Sequence, residues 1–221
     1  MAVAWLPLAI AQSEHGPNAD QSAFSSSSLA TRNNDSFADR FLALAGPAKP
    51  KRLTEKERFQ QYALDTAGPF PLFGEAVGAG LSQWMNSPKE WGQGWGAFGK
   101  RYASDLAYNA VRQTIAYGVS TVFHEDYRYF ASVRQGFWPR AGHALVSTFT
   151  ARHPDGRDTF SMSSVTGVAG ASAISSIWGP SSTKGVENIA ANAGISFAVT
   201  AGLNVAREFL PDILHKHRPT N

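Results

Sequence analysis

Small residues recur at every fourth position in several segments of this chain, and that spacing is the tightest constraint on its fold. Ser163, Gly167, Ala171, Ser175 and Gly179 form one series, and Ala190, Gly194, Ala198, Gly202 and Ala206 form a second. Shorter series are Gly74, Gly78 and Ser82, then Gly99, Ala103 and Ala107, followed by Ala110, Thr114 and Gly118. Residues four apart share one face of an α-helix. A ridge of small side chains lets two helix backbones approach closely. Glycine in a water-exposed helix interior costs about 1 kcal/mol relative to alanine, so its repetition at a fixed phase predicts packing tight enough to recover that loss. No segment alternates with period two over a useful length. The expected fold is all-α: a bundle of five to six close-packed helices with small-xxx-small, glycine-zipper interfaces, preceded by a disordered N-terminal tail.

Local signals place the helices. Thr54-Glu55-Lys56-Glu57 is a capping box, with Thr54 as N-cap and Glu57 at the third helical position. The first helix is expected over 54–66, stopping at Gly68-Pro69. The second covers about 71–86 and ends at Asn86-Ser87-Pro88. A Gly/Trp-rich link leads to a long third helix over 97–123. The fourth is expected over 139–152 with Pro139 near its start. His153-Pro154-Asp155-Gly156 reads as a turn, with residues 160–162 extended. The fifth covers 163–178 and the sixth 184–209, closed near Pro211.

The N-terminus divides differently. Residues 1–11 read as a signal peptide that lacks a basic start, ending in Ala9-Ile10-Ala11, a small-x-small cleavage pattern. Residues 12–53 are expected to be a disordered linker, because they carry too little apolar surface to offset chain entropy. The domains are thus 1–11, 12–53, a helical domain over 54–211 and a basic tail over 212–221. The cluster Lys49, Lys51, Arg52, Lys56 and Arg58 fits an anionic lipid surface or a solvated linker.

Charge and composition narrow the function classes. Charged residues make up 17% of the chain, against roughly 25% in soluble domains. Net charge is only +3 and the basic residues are scattered, which argues against nucleic-acid binding. There is no cysteine, so disulfides, thiolate metal sites and a cysteine nucleophile are excluded. Residues 159–183 and 188–206 contain no Asp, Glu, Lys or Arg, and a bilayer span needs about 20 mostly apolar residues. Their Ser, Thr and Asn content suits a core helix of a soluble periplasmic bundle equally well. Trp84, Trp91, Trp95 and Trp138 lie near predicted helix ends, as in an interfacial belt or in simple helix-end packing.

The densest polar cluster is Phe123-His124-Glu125-Asp126-Tyr127-Arg128-Tyr129-Phe130. His, Glu and Asp side by side offer acid–base chemistry, and His143 on the fourth helix is positioned to face back toward them. The candidate ligand-binding residues are therefore His124, Glu125, Asp126, Arg128 and His143. The simpler reading is a helix terminus, with His124 capping and Glu125 paired to Arg128. The spacing is poor for a helical metal site, since the residue four beyond His124 is the cation Arg128; no metal or cofactor is expected. There is no Gly-x-Ser-x-Gly elbow, and the run from Gly92 to Gly99 has no strand before it. The helix-packing residues are Gly167, Ala171, Ser175, Ala190, Gly194, Ala198 and Gly202.

The segments Gly96-Ala97-Phe98-Gly99-Lys100-Arg101-Tyr102 and Phe123 to Phe130, followed by Ala/Gly-rich helices, resemble a group of uncharacterised exported bacterial proteins over about residues 54–210. The resemblance implies export and no activity. The expected function is that of a bacterial envelope protein with a structural or interaction role at a membrane. Its expected partners are lipid, an envelope protein or a second copy meeting it through small-residue helix faces. The alternative is a periplasmic enzyme or metal-binding protein with its site around His124, Glu125, Asp126 and His143.

Overall fold

The computed structural model describes the backbone of residues 51–216 and the side chains of residues 51–212. The expected signal segment, most of the linker and the basic tail beyond residue 212 lie outside the described residues. Six α-helices form the framework of the described residues.

Helix α1 (Glu55–Ala67) starts at the capping box read from the sequence: Thr54 Oγ1 accepts from Glu57 N at 3.3 Å, and Glu57 Oε2 accepts from Thr54 N at 2.8 Å. It stops at Gly68, where a Cβ would sit 2.3 Å from the Leu64 carbonyl oxygen. Helix α2 (Pro69–Trp84) follows at once, with Pro69 in the first turn, where its missing N–H costs nothing. After a 3₁₀ turn (Lys89–Trp91), α3 (Trp95–Phe123) runs 29 residues, roughly 43 Å. It ends at His124, whose left-handed φ of 55° turns the chain. Helix α4 (Phe137–Val146) is followed by a small hairpin, β1 (Thr150–Arg152) paired antiparallel with β2 (Asp158–Phe160). Helix α5 (Met162–Ser175) is capped by Ser161, and α6 (Val186–Lys216) completes the chain.

Two boundaries depart from expectation. The fourth helix ends at Val146, because residues 150–152 pair with 158–160 across the predicted turn. The sixth helix continues through Pro211. Arg140 holds that turn from outside, donating to the Glu208 carbonyl at 2.6 Å and to Asp212 Oδ2 at 2.5 Å.

Helix α3 is the axis. Helix α1 meets its C-terminal half through Arg58–Ser120, Tyr62–Thr114 and Asn109 bonded to the Asp65 carbonyl. Helix α2 meets its N-terminal half, where Arg101 binds Gln83. Together α1 and α2 traverse α3 antiparallel. Helix α5 descends beside α3, from Glu125–Ser163 through Tyr108–Ser172 to Trp178–Ser104. Helix α6 climbs back, from Tyr108–Ser196 through Arg112–Thr200 to Glu208 beside Tyr129.

Small-residue packing is concentrated at the α3–α5 contact. A Cβ on Gly167 would lie 3.0 Å from the Arg112 carbonyl oxygen and 3.1 Å from Ala116 Cβ, and one on Gly170 would lie 2.7 Å from Ile115 Cδ1. Ser163, Gly167 and Ala171 are buried there, with Ser175 half-buried. The α6 series corrects the expectation that it packs on a neighbouring helix. Ala190, Gly194, Ala198, Gly202 and Ala206 are all exposed, and a Cβ on Gly194 or Gly202 would meet nothing within 4 Å. The polar face of α6 turns inward instead, with Ser196, Thr200, Asn204 and Glu208 making the contacts to α3, α4 and the loops.

The interior is correspondingly polar. The two largest fully buried side chains are Arg101 and Glu208, each 1% exposed, and the buried apolar residues are mostly alanines. Twenty-six large apolar side chains are exposed among the described residues, including Leu72, Phe73, Val77, Ile177, Ile195 and Val199. Across residues 59–84, 101–123, 159–183 and 188–211 no exposed residue is charged. The exposed charges gather at two ends. Lys89, Glu90, Lys100, Lys184 and Glu187 mark one; residues 51–56, Arg134, residues 155–158 and Asp212 mark the other. Trp84 and Trp95 (84% and 89% exposed) stand at the first end, and Trp138 (80%) belongs to the other. Among the described residues one helix, α6, holds a stretch long and apolar enough to cross a membrane, Val186–Asp212 with mean hydropathy 1.4.

Candidate functional site

The polar cluster singled out in the sequence surrounds a cavity of about 350 Å³ at the end of the bundle where α3 finishes. Its walls come from four places: residues 51–55, the first turns of α1, the last turns of α3 with the segment after it, and the turn between the two strands.

The left-handed turn at His124 sends the chain sideways and leaves that side chain exposed. His124 closes α3 through its backbone N–H, which donates to the Ser120 carbonyl. The next two acids are both engaged. Glu125 is buried and turned onto the start of α5, accepting from Met162 N at 3.1 Å, Ser163 N at 2.9 Å and Ser163 Oγ at 2.6 Å. A carboxylate at a helix N-terminus satisfies N–H groups that have no intrahelical partner. Asp126 pairs its backbone with Arg152 at 2.8 and 2.9 Å. Its side chain holds Arg128, accepting from Nε at 2.9 Å and Nη2 at 2.6 Å. The partner of Arg128 is thus Asp126, not the Glu125 that helical spacing suggested, because the helix has already ended and i,i+3 geometry no longer applies.

Basic and aromatic groups fill the remaining wall. Arg128 and Arg152 both stack on the Phe130 ring, 5.4 and 4.6 Å from its centroid. Arg152 also pairs with Asp158 at 3.0 Å. Arg58 makes one hydrogen bond, to Ser120 Oγ at 3.1 Å, and no ion pair among the described residues. Tyr62 and Tyr117 stack at 4.9 Å, and Phe59 meets Tyr117 edge-on at 6.4 Å. Burial holds the Tyr127 phenol well above its ordinary range, so it faces the cavity protonated.

The sequence-selected residues therefore divide. His124, Glu125, Asp126 and Arg128 line one cavity, and His143 does not. His143 lies on α4 beside Tyr129, with ring centroids 6.1 Å apart, and its buried Nδ1 has no partner among the described residues. Glu125 is engaged by α5 and Asp126 by Arg128, and among the described residues no three His, Asp or Glu side chains converge on a metal position. In the sequence Arg58 belongs to a basic cluster and His153 to a turn, whereas Arg152, Tyr62 and Tyr117 carry no signal of a site. Nothing local marks those last three, because the cavity joins residues 62, 117 and 152 through tertiary packing.

A second polar centre lies beside α4. Glu208 accepts from Tyr129 OH, from Ser132 N at 3.0 Å and from Arg140 Nε at 2.8 Å. At the opposite end Arg101 donates to the Ser87, Pro88 and Gly92 carbonyls at 2.8, 3.0 and 3.0 Å. Both knots tie irregular segments to helices. No family model, curated protein or solved structure matches this chain.

Proposed function

We propose that this chain is a membrane-embedded helical protein of the bacterial cell envelope with a structural or interaction role, its outer surface facing lipid and its polar interior holding the helices together. The carrying observation is the inverted distribution of residues. A soluble bundle hides its large apolar side chains; here Arg101 and Glu208 are inside while Val, Leu, Ile and Phe are outside. Burying one such apolar side chain is worth about 1.5–3 kcal/mol in water, so a water-soluble fold has strong reason to turn them inward. Lipid removes that reason and instead penalises outward charge.

The dimensions agree. The stretch of α3 without exposed charge, 102–123, rises roughly 32 Å, and the uncharged part of α6, 188–206, roughly 28 Å. The hydrocarbon core is about 30 Å thick. Charged residues rim both ends, and exposed tryptophans stand at both levels, where their amphipathic rings favour an interface. Interior Ser, Thr, Tyr and Asn bonds between helices supply the association that the hydrophobic effect cannot supply in lipid. Lipid is the principal partner. The outward ridge of α6 is the face on which the expected second copy would have to pack.

Envelope fractionation tests this. A carbonate wash should leave the protein in the membrane pellet and detergent should release it. Release by carbonate alone would refute embedding.

A further inference from the structure

We propose that the cavity between α1, the end of α3 and the strand turn binds the phosphate of an acidic phospholipid headgroup. The inference rests on the membrane-embedded reading, since that reading puts the cavity at the level of the headgroups.

Charge is the first argument. Lys51, Arg52, Arg58, Arg128 and Arg152 line the cavity with the two histidines His124 and His153. Three acids line it too, Glu55, Glu125 and Asp126. Glu125 is spent on three donors of α5 and Asp126 on Arg128. Lys51 is paired with Glu57, Arg128 with Asp126 and Arg152 with Asp158, which leaves Arg52 and Arg58 as the lining cations without a carboxylate partner among the described residues. Arg58 gives one of its five N–H groups to Ser120, and a guanidinium fork matches phosphate oxygens bidentately. Two further guanidiniums, Arg128 and Arg152, are held in place by Phe130 and by their carboxylate partners, so little side-chain entropy is lost when their remaining N–H groups meet an anion.

The second argument is the wall that points to lipid rather than to a soluble phosphate. The Tyr62–Tyr117 stack lines the cavity and continues through Phe59, whose ring is exposed on the charge-free belt. A headgroup phosphate seated among the arginines would have its glycerol and acyl chains leave across this aromatic step into the bilayer. A free phosphate has no use for that exit.

The test uses the full chain purified in a neutral detergent, with thermal unfolding followed while phosphatidylglycerol, phosphatidylcholine or inorganic phosphate is titrated. Phosphatidylglycerol should raise the midpoint saturably and phosphatidylcholine should not. Arg58→Gln and Arg152→Gln should each raise the lipid concentration needed roughly tenfold, while Arg134→Gln, outside the cavity at the same end, should not. Arg58→Lys keeps the charge without the fork and should fall between, which separates a binding defect from misfolding. Equal responses to the two lipids would overturn the proposal. So would an unchanged response in both glutamine variants, or inorganic phosphate reproducing the shift at the same concentration. Carbonate extraction of the unmodified protein reads the embedding separately, so loss of one conclusion is distinguishable from loss of the other.

Discussion

Replacing Gly167 with leucine should separate a real helix interface from a matching sequence pattern. A Cβ alone at this position would sit 3.0 Å from the Arg112 carbonyl oxygen and 3.1 Å from Ala116 Cβ, whereas ordinary contact begins near 3.4 Å. Both neighbours are backbone or backbone-adjacent atoms of α3, so α5 and α3 must move apart to admit even a methyl group. Leucine adds three more carbons beyond it. Overpacking of this kind costs about 1–3 kcal/mol, and the better helix propensity of leucine returns just under 1 kcal/mol. The net loss is up to about 2 kcal/mol, or a fall of up to about 8 °C in midpoint for a chain this size. The control is Gly202→Leu, at the same spacing on α6, where a Cβ meets nothing within 4 Å. Its midpoint should stay the same or rise slightly. Thermal unfolding in detergent, monitored by circular dichroism, reads both. Equal midpoints for the two variants would refute the assignment of the tight contact to α3 and α5. A fall in oligomer size confined to Gly202→Leu would assign the α6 ridge to a second copy.

Three further outcomes are expected. Glu208→Ala should destabilise the fold by about 1–3 kcal/mol, because it leaves the Tyr129 hydroxyl, the Ser132 N–H and the Arg140 Nε–H without their acceptor while Arg140 keeps Asp212; unfolding in detergent measures it. The hydrogen bond from Lys51 and the Thr54 cap hold the Glu57 carboxyl down to about 2, below its ordinary 4.5. A carboxyl lowered on folding stabilises above its unfolded value and loses that contribution as pH falls toward the folded one, so the protection of amides at the start of α1, relative to their intrinsic exchange at each pH, should fall between about pH 4.5 and 2 and stay level above, an effect absent in Glu57→Gln. The natural absence of cysteine makes single-cysteine labelling clean: Lys89→Cys and Arg157→Cys, at opposite charged ends, should react with an impermeant maleimide from opposite sides of a sealed membrane. Labelling of both from one side would refute the traverse.

Much of the helical framework was legible because its causes are local. Thr54 and Glu57 write the start of α1 in four residues, Gly68-Pro69 ends it, and the spacing around Gly167 marks α5 as a helix before any neighbour is known. The strands are barely legible because three residues are too few to display period two: the extended stretch expected at 160–162 meets β2 only at Phe160, and residues 150–152 continue the pattern of the preceding helix. The polar cluster at 123–130 was visible as chemistry, but its use was not. Glu125 looked like an acid or an ion-pair partner, and only the arrival of α5 turns it into a helix cap.

The sequence by itself determined where helices begin, which stretches lack charge, and that small residues line their faces. Those properties follow from i,i+4 geometry and from the residues adjoining each helix end. Tertiary structure alone decided which ridge is buried. The Gly167 and Gly202 series have the same spacing and nearly the same composition, so nothing local distinguishes them. What does is the opposite face of each helix: α6 carries Ser196, Thr200, Asn204 and Glu208, which find partners on Tyr108, Arg112, Thr148 and Arg140. Those polar bonds pull one face of α6 inward and leave the smooth apolar face outside. The same packing brings Arg58 and Arg152, 94 positions apart, to one cavity.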